Sequence, residues 1–346
     1  MPDLATINGV AEDNIATYNG ATASTVTSIG GATWVHTPPP YTAHFLIVGG
    51  GGAGNNQGYG FMNGGGGAGG LRTSWAGGSG GGGASEPQVT FVSGVVYTIT
   101  VGAGNNTAQT TAPPSSIVGT DVSLISLGGG AGAIDGGPAP ASHQGTVGGS
   151  GGGGVGRSPA GSHQTGSAGT AGQGYDGGDA TLNSPREPSG GGGGATAEGA
   201  DCGSPSGTHA NGGAGKQVNI DTNDYYWAGG GGGASHSPGY PADGGIGGGG
   251  YGMKYLTVVA GTAGGSAITS DAALNGGTNT GGGAGGSTWY YPAHPATTGG
   301  STGGSGCVIL RMPTDSYTGT KTGTSTVATD GSDTIVTWTG TGSYTG

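Results

Sequence analysis

The chain is poor in most of what proteins fold or act with. Of its 346 residues only 7 are Lys or Arg, against 18 Asp or Glu, so charged residues make up 7% and the formal net charge is −11. Nucleic acid is not an expected partner, because phosphate contacts need clustered cations. No run of 18 apolar residues occurs, so no helix is expected to enter a membrane. The opening Met1-Pro2-Asp3-Leu4-Ala5 has neither the basic start nor the apolar run of a secretory leader. That points to synthesis in a cytoplasm, then exit by an unusual route or inside a particle freed by lysis. Cys202 and Cys307 are too few for a disulfide framework and read as free thiols. Cys307 stands in an apolar run, as a buried small hydrophobe would. With 31% hydrophobic residues and three Phe, one conventional core of this size is not expected.

The equipment of catalysis is also missing. No amphipathic helix is legible, and the abundant Ser has no nucleophile elbow with a helix behind it. The seven His show neither H-x-x-x-H nor H-E-x-x-H spacing, and His143, His163, His236 and His294 stand in loop-like segments as exposed polar residues. Asp221, Asn223 and Asp224 offer a weak cation site at most, since no EF-hand loop follows. A G-x-G-x-x-G match within 64–70 is trivial in so much glycine and lacks a βαβ unit. Gly215-Lys216 is followed by Gln217, and Ala210 stands where a phosphate loop needs its first glycine. No enzyme, cofactor or metal centre is expected.

What the chain has is glycine: 93 residues, with 18 Pro. Such composition ordinarily means disorder, because glycine loses the most backbone freedom on folding. The distribution argues for order. Clear tracts fall at 49–54, 64–70, 77–83, 128–132, 148–154, 190–194, 229–233, 244–250, 281–286 and 299–306. Their interruptions are small, among them Ala53, Ala68, Ala131, Ser150, Ala284 and Ser305. A flexible linker would admit Lys or Glu equally well. Extended as threefold polyglycine-II helices at about 3.1 Å per residue, the tracts span roughly 15–25 Å and leave their amides and carbonyls pointing outward. Packed side by side, they can bond one another only where no Cβ holds the backbones apart.

Strand signals flank the tracts. His44-Phe45-Leu46-Ile47-Val48 and Cys307-Val308-Ile309-Leu310-Arg311-Met312 are apolar runs at the two ends of the glycine region, which must meet to bury enough surface. Residues 89–92 and 95–102 read as a hairpin turning at Gly94, and 116–118 and 122–127 as two further strands. Residues 325–329 and 334–339, joined by Asp330-Gly331-Ser332-Asp333, read as a second hairpin. The expected fold is all-β and irregular: a small β-sandwich-like core plus a polyglycine bundle, with no significant α-helix. The expected division is an attachment arm at 1–40, the glycine-rich domain at 41–312 and a β-hairpin segment at 313–346.

In the arm, Ala5-Thr6-Ile7-Asn8-Gly9 and Ala16-Thr17-Tyr18-Asn19-Gly20 repeat at a spacing of eleven. Each carries a tight-turn Asn-Gly. Ile7, Asn8, Ile15 and Trp34 are the candidate docking residues. The large side chains otherwise gather in the connections between tracts: Tyr59, Phe61, Tyr225, Tyr226, Trp227, His236, Tyr240, Trp289, Tyr290 and Tyr291. Aromatic, polar and Pro residues on loops make a contact surface. The same aromatics could instead cap the bundle ends, and both readings stay open here.

Phe45-Leu46-Ile47-Val48-Gly49-Gly50-Gly51-Gly52 resembles the opening of glycine-rich domains in structural proteins of tailed bacteriophages. Similar segments are Tyr97-Thr98-Ile99-Thr100-Val101-Gly102, Gly306-Cys307-Val308-Ile309-Leu310-Arg311 and Trp338-Thr339-Gly340. The Ile7-Asn8-Gly9-Val10 repeat resembles segments of phage tail appendages. The resemblance implies a place on the virion. It implies contact with other virion proteins through the arm, and binding by loops to a host surface glycan or outer-membrane protein, as in tail-fibre adhesins with polyglycine helix bundles. A homo-oligomer is expected, with a trimer as one option. The alternative is a self-assembling capsid-decorating or extracellular fibre protein without a receptor.

Overall fold

The computed structural model describes residues 39–54, 62–134, 144–155, 165–180, 189–202, 210–234, 242–253, 274–287 and 301–346, together with six two-residue strands between residues 6 and 33. Those six are β1 (Thr6–Ile7), β2 (Val10–Ala11), β3 (Thr17–Tyr18), β4 (Ala21–Thr22), β5 (Ser28–Ile29) and β6 (Ala32–Thr33), paired as three hairpins. The third hairpin extends the eleven-residue repeat. In the sequence Gly30-Gly31 stands where the other two units have Asn-Gly, which hid the unit from a motif search. Ile7 closes the first strand, while Asn8, Ile15 and Trp34 lie outside the described residues.

The remaining strands are β7 (Tyr41–Val48), β8 (Leu71–Thr73), β9 (Val89–Phe91), β10 (Val96–Thr100), β11 (Ser115–Val118), β12 (Ser123–Ser126), β13 (Lys216–Gln217), β14 (Tyr226–Trp227), β15 (Cys307–Pro313), β16 (Lys321–Thr322), β17 (Ser325–Asp330), β18 (Asp333–Trp338) and β19 (Gly342–Thr345). One sheet runs β17-β18-β15-β7-β8, with β9 also on β7; the other runs β12-β11-β10-β19-β16. Among the described residues there is no α-helix, and the fold is all-β. The two ends of the glycine region do meet: β7 and β15 pair antiparallel, with Val48 opposite Cys307 and Phe45 opposite Leu310. The hairpin β17–β18 forms as its turn chemistry predicts, with Gly331 at φ 59°. Together with β16 and β19 it completes both sheets.

One expected hairpin does not form. β9 pairs with β7 and β10 with β11 and β19, so Gly94, at φ 76°, hands the chain from one sheet to the other. Local turn chemistry was right, but cross-sheet burial of Phe91 and Tyr97 decided the partners. Those two rings meet edge to face at 4.7 Å, and Phe91 meets Tyr344 at 5.1 Å.

Side-chain alternation then assigns the faces. Phe45 and Ile47, Val308 and Leu310, and Val336 and Trp338 turn into the sandwich against Tyr97, Ile99, Ile117 and Tyr344. Leu46, Val48, Cys307, Ile309 and Ile335 turn the other way, onto the bundle. The two central strands are therefore buried on both faces, which accounts for their unbroken apolar runs.

The bundle is held backbone to backbone. The tract at 64–70 is the clearest case. Gly64, Gly67 and Gly70 donate to Ala133, Gly130 and Leu127; Gly65 and Ala68 donate to Gly190 and Gly193; Gly66 and Gly69 donate to Ala284 and Gly281. Every third amide thus reaches the same neighbour, and each neighbour's register also steps by three. This is the threefold period of polyglycine II. Its carbonyls receive from three further segments: Gly67 from Gly52, Gly65 from Gly153, and Gly66 from Gly231. Six neighbours around one chain is hexagonal packing. The tracts at 190–195 and 229–234 repeat the period, bonding at intervals of three to 154/151 and 213/210 respectively.

A Cβ at Gly65, Gly66, Gly192 or Gly231 would come within 3.0 Å of a neighbouring carbonyl oxygen. The alanines obey the same logic from the other side. Ala68, Ala195 and Ala228 sit where a tract faces side chains of the β core and not another backbone. Gly66→Ala is expected to cost more than about 4 kcal/mol, since the added methyl meets the Gly52 and Ala53 carbonyl oxygens of a tract that is itself bonded to other neighbours and cannot give way. Ala68→Gly should cost only roughly 1 kcal/mol, for one lost methyl and added chain freedom. Thermal unfolding of the two variants checks the contrast; equal costs would contradict the packing.

Candidate functional site

The tracts run alternately away from and toward the sandwich, so the molecule has two ends. At the sandwich end, Val48 leads into Gly49 and Gly70 leads into Leu71. At the far end the described residues bond one another in a ring of contacts. Gly54 donates to Ser301, Asn63 to Ser287, Ala234 to Asn63, Ser189 to Ala234, Gly154 to Gly178, Cys202 to Asp179, Gly233 to Ala210, and Met253 to Gly286. With Gly64, which donates to Ala133, these residues place at one end the described neighbours of the segments 55–61, 135–143, 156–164, 181–188, 203–209, 235–241, 254–273 and 288–300. Tyr59, Phe61, His236, Tyr240, Trp289, Tyr290 and Tyr291 belong to these segments and lie outside the described residues. What the sequence did not reveal is that their anchors share one end. Only tract direction shows this, and glycine carries no side-chain signal of direction.

Tyr225, Tyr226 and Trp227 belong to the opposite end. They stand on the small hairpin β13–β14, where Lys216 pairs with Trp227 and Gln217 with Tyr226. Trp227 is not the surface contact expected of it. It is 2% exposed, its indole N–H donates to the Val218 carbonyl at 3.0 Å, and with Val218 and Ile220 it fills the core under the six-stranded sheet. The ring shares this core with Ala68, Ala195 and Ala228 of the tracts. Tyr225 and Tyr226 are half-buried.

The loop 218–225 is fastened on two sides. Trp75 donates its indole N–H to Asn219 Oδ1 at 2.9 Å. The Arg311 guanidinium lies 4.9 Å over the Trp75 ring and bonds Asp333 at 2.8 Å and Asp330 at 2.7 Å. It also donates to the Ile220 carbonyl at 3.4 Å.

Between this loop and the outer strands β17 and β18 a cleft of about 260 Å³ opens. Its floor is Trp227, Cys307 and Ile335, and its walls carry Asp221, Asn223, Tyr225, Asn279, Thr326 and Thr337. Asn279 has φ 62° and is pinned by Ser305, which accepts from its backbone N–H at 2.9 Å and donates to its Oδ1 at 3.0 Å. Its side-chain nitrogen is left as the donor. Asp221 accepts from the Asn223 backbone and side-chain amides, each at 3.2 Å. Burial nonetheless raises its carboxyl above the ordinary value, because desolvation outweighs those bonds. The Cys307 thiol is likewise pushed up, by burial first and the nearby Asp221 second. Among the described residues no group of three or more His, Cys, Asp or Glu could hold a metal ion. No described helix is long and apolar enough to cross a membrane.

A β-sandwich that seeds a hexagonal bundle of glycine tracts defines a class of architecture in which backbone replaces side chain as packing material. The chain belongs to the glycine-rich domain family, whose pattern matches residues 22–313. It matches no curated protein and no solved structure.

A raised carboxyl favours the neutral acid in the folded state. Its contribution to stability is therefore full below the unfolded carboxylate range and is lost as pH rises through the folded value. Asp221→Asn should accordingly unfold at a higher temperature than the parent at pH 7, with the difference shrinking toward pH 3. A gap independent of pH, in thermal melts across that range, would assign the effect to packing instead.

Proposed function

We propose that this chain is a structural virion protein of a tailed bacteriophage, an appendage or tail-fibre adhesin that binds a host surface glycan or outer-membrane protein. The observation that supports it most is polarity. Tyr41 opens β7 at the side of the sandwich away from the bundle, so the repeat-bearing arm joins there. The eight far-end segments leave from the other side. With β7 near 3.3 Å per residue and a tract near 3.1 Å, the two sides stand roughly 40 Å apart along the chain. An arm at one end and aromatic, Pro- and His-bearing segments at the other suit a pillar fixed to a particle and presented to a cell. His143, His163, His209, His236 and His294 all fall in the far-end segments, beside Tyr240, Trp289 and Tyr290. The tracts between supply stiffness, because each is bonded on several sides.

In this reading the arm's hairpins dock on other virion proteins. Strands of two residues bury too little to stand alone and gain stability from a partner surface. Replacing 235–241 and 288–300 by Gly-Ser segments of equal length should lower adsorption of particles to host cells at least tenfold, while the protein content of the particles stays constant. Full adsorption by such particles would exclude the far end as the receptor surface. Absence of the chain from purified particles would exclude the virion role altogether.

A further inference from the structure

We propose that the cleft between the 221–227 loop and the β17–β18 face is a second binding site, for a neutral saccharide taken one ring at a time. Its volume, about 260 Å³, lies just below the roughly 300–1,000 Å³ of sites for larger organic ligands. The chemistry of the lining narrows the class. Register brings the hydroxyls together: Thr326 pairs with Thr337 across β17 and β18, on the same face as Ala328 and Ile335. Among the described residues neither of these two hydroxyls has a hydrogen-bond partner, so both can donate and accept. Asn279 adds amide donors from the opposite wall, held in place by Ser305, and Asp221 adds a carboxylate acceptor. Tyr225 supplies an aromatic surface beside them and is itself braced edge to face by Trp227 at 6.1 Å.

A ligand suited to this wall carries several hydroxyls, each able to give and take a proton, and an apolar C–H face to lie against the ring. Negative charge is disfavoured. The lining holds one carboxylate and no Lys, Arg or His; Lys216 of the hairpin is not among the lining residues, and Arg311, which clamps the loop, is committed to Asp330 and Asp333. Phosphates, uronic acids and sialic acids would meet repulsion without a counter-charge, and a free amino acid would leave its carboxylate unpaired. The walls are also pre-organised. The loop is clamped through Trp75 and Arg311, and Asn279 is fixed in a left-handed conformation, so little ordering entropy remains to be lost on binding.

The site lies beside the sandwich, at the opposite end from the segments assigned to adsorption, and it stands or falls separately from that assignment. The test is saturation-transfer NMR on the full chain with glucose, galactose, mannose and N-acetylglucosamine, against glucuronic and N-acetylneuraminic acids. At least one neutral sugar should show transfer to its ring C–H protons and bind at least tenfold more tightly than either acid. Thr337→Val keeps the β-branched shape of a strand residue and removes one hydroxyl; it should weaken binding several-fold with unchanged melting temperature. Tyr225→Ala should abolish it. No transfer from any neutral sugar, equal binding of the acids, or undiminished binding by both variants would each overturn the proposal. Loss of adsorption in the far-end replacements with sugar binding retained would show the two sites to be independent.

Discussion

Everything in this molecule rests on amide-to-carbonyl bonding between glycine tracts that turn once every three residues. A β-strand offers its hydrogen bonds in one plane and so makes a layer. A threefold chain offers them in three directions and so makes a solid. That difference lets a protein with three Phe and two dozen or so charged side chains keep most of its described bundle residues out of water. A single net hydrogen bond contributes only about 1 kcal/mol. Ordering a glycine costs more than ordering any other residue. The balance is workable because the tracts have no side chains to order, and because each chain meets several others at once.

The β-sandwich gives this solid its starting point. Tracts alone have no means of choosing neighbours, since every surface is the same backbone. The six-stranded sheet removes the ambiguity at one end. Leu46, Val48, Cys307, Ile309 and Ile335 present a side-chain surface, and Ala68, Ala195 and Ala228 are the tract residues that answer it. Of the first bonds beyond the sheets, Gly49 to Gly70 continues the β7–β8 pairing into the bundle, and Gly70 to Leu127 joins that edge to the chain leaving β12 of the other sheet. Register is thus set where side chains exist and is then transmitted by backbone alone.

This division explains what the sequence disclosed. The apolar runs at 44–48 and 307–312 announced two strands that meet. The Asp330-Gly331 turn announced its hairpin, and the small interruptions announced close packing. Each of these signals is carried by a side chain. The lateral order of the tracts was not legible, because polyglycine has no code for which neighbour lies on which side. For the same reason the gathering of eight connections at one end could not be read. The hairpin expected from 89–92 and 95–102 failed because Phe91 and Tyr97 pack on each other across the sandwich, with their strands in opposite sheets. Trp227 misled because aromatic residues beside polar ones on a short connection look alike whether the ring faces out or in. Only the buried Val218 and Ile220 flanking that connection hinted at a core role. The cleft was invisible, since Thr326 and Thr337 meet Asn279 and Tyr225 only through the tertiary fold.

The threefold period also governs how such a protein can diversify. Adding or removing one residue inside a tract would rotate every later amide by a third of a turn, toward the wrong neighbour. Changes in whole triplets keep the lattice in phase and merely alter its height. The described residues that bound the eight far-end segments are themselves locked to neighbouring tracts. Length is therefore constrained inside the tracts to steps of three residues. The same arithmetic makes the tract lattice a framework whose height can be set in triplets while its lateral order stays fixed.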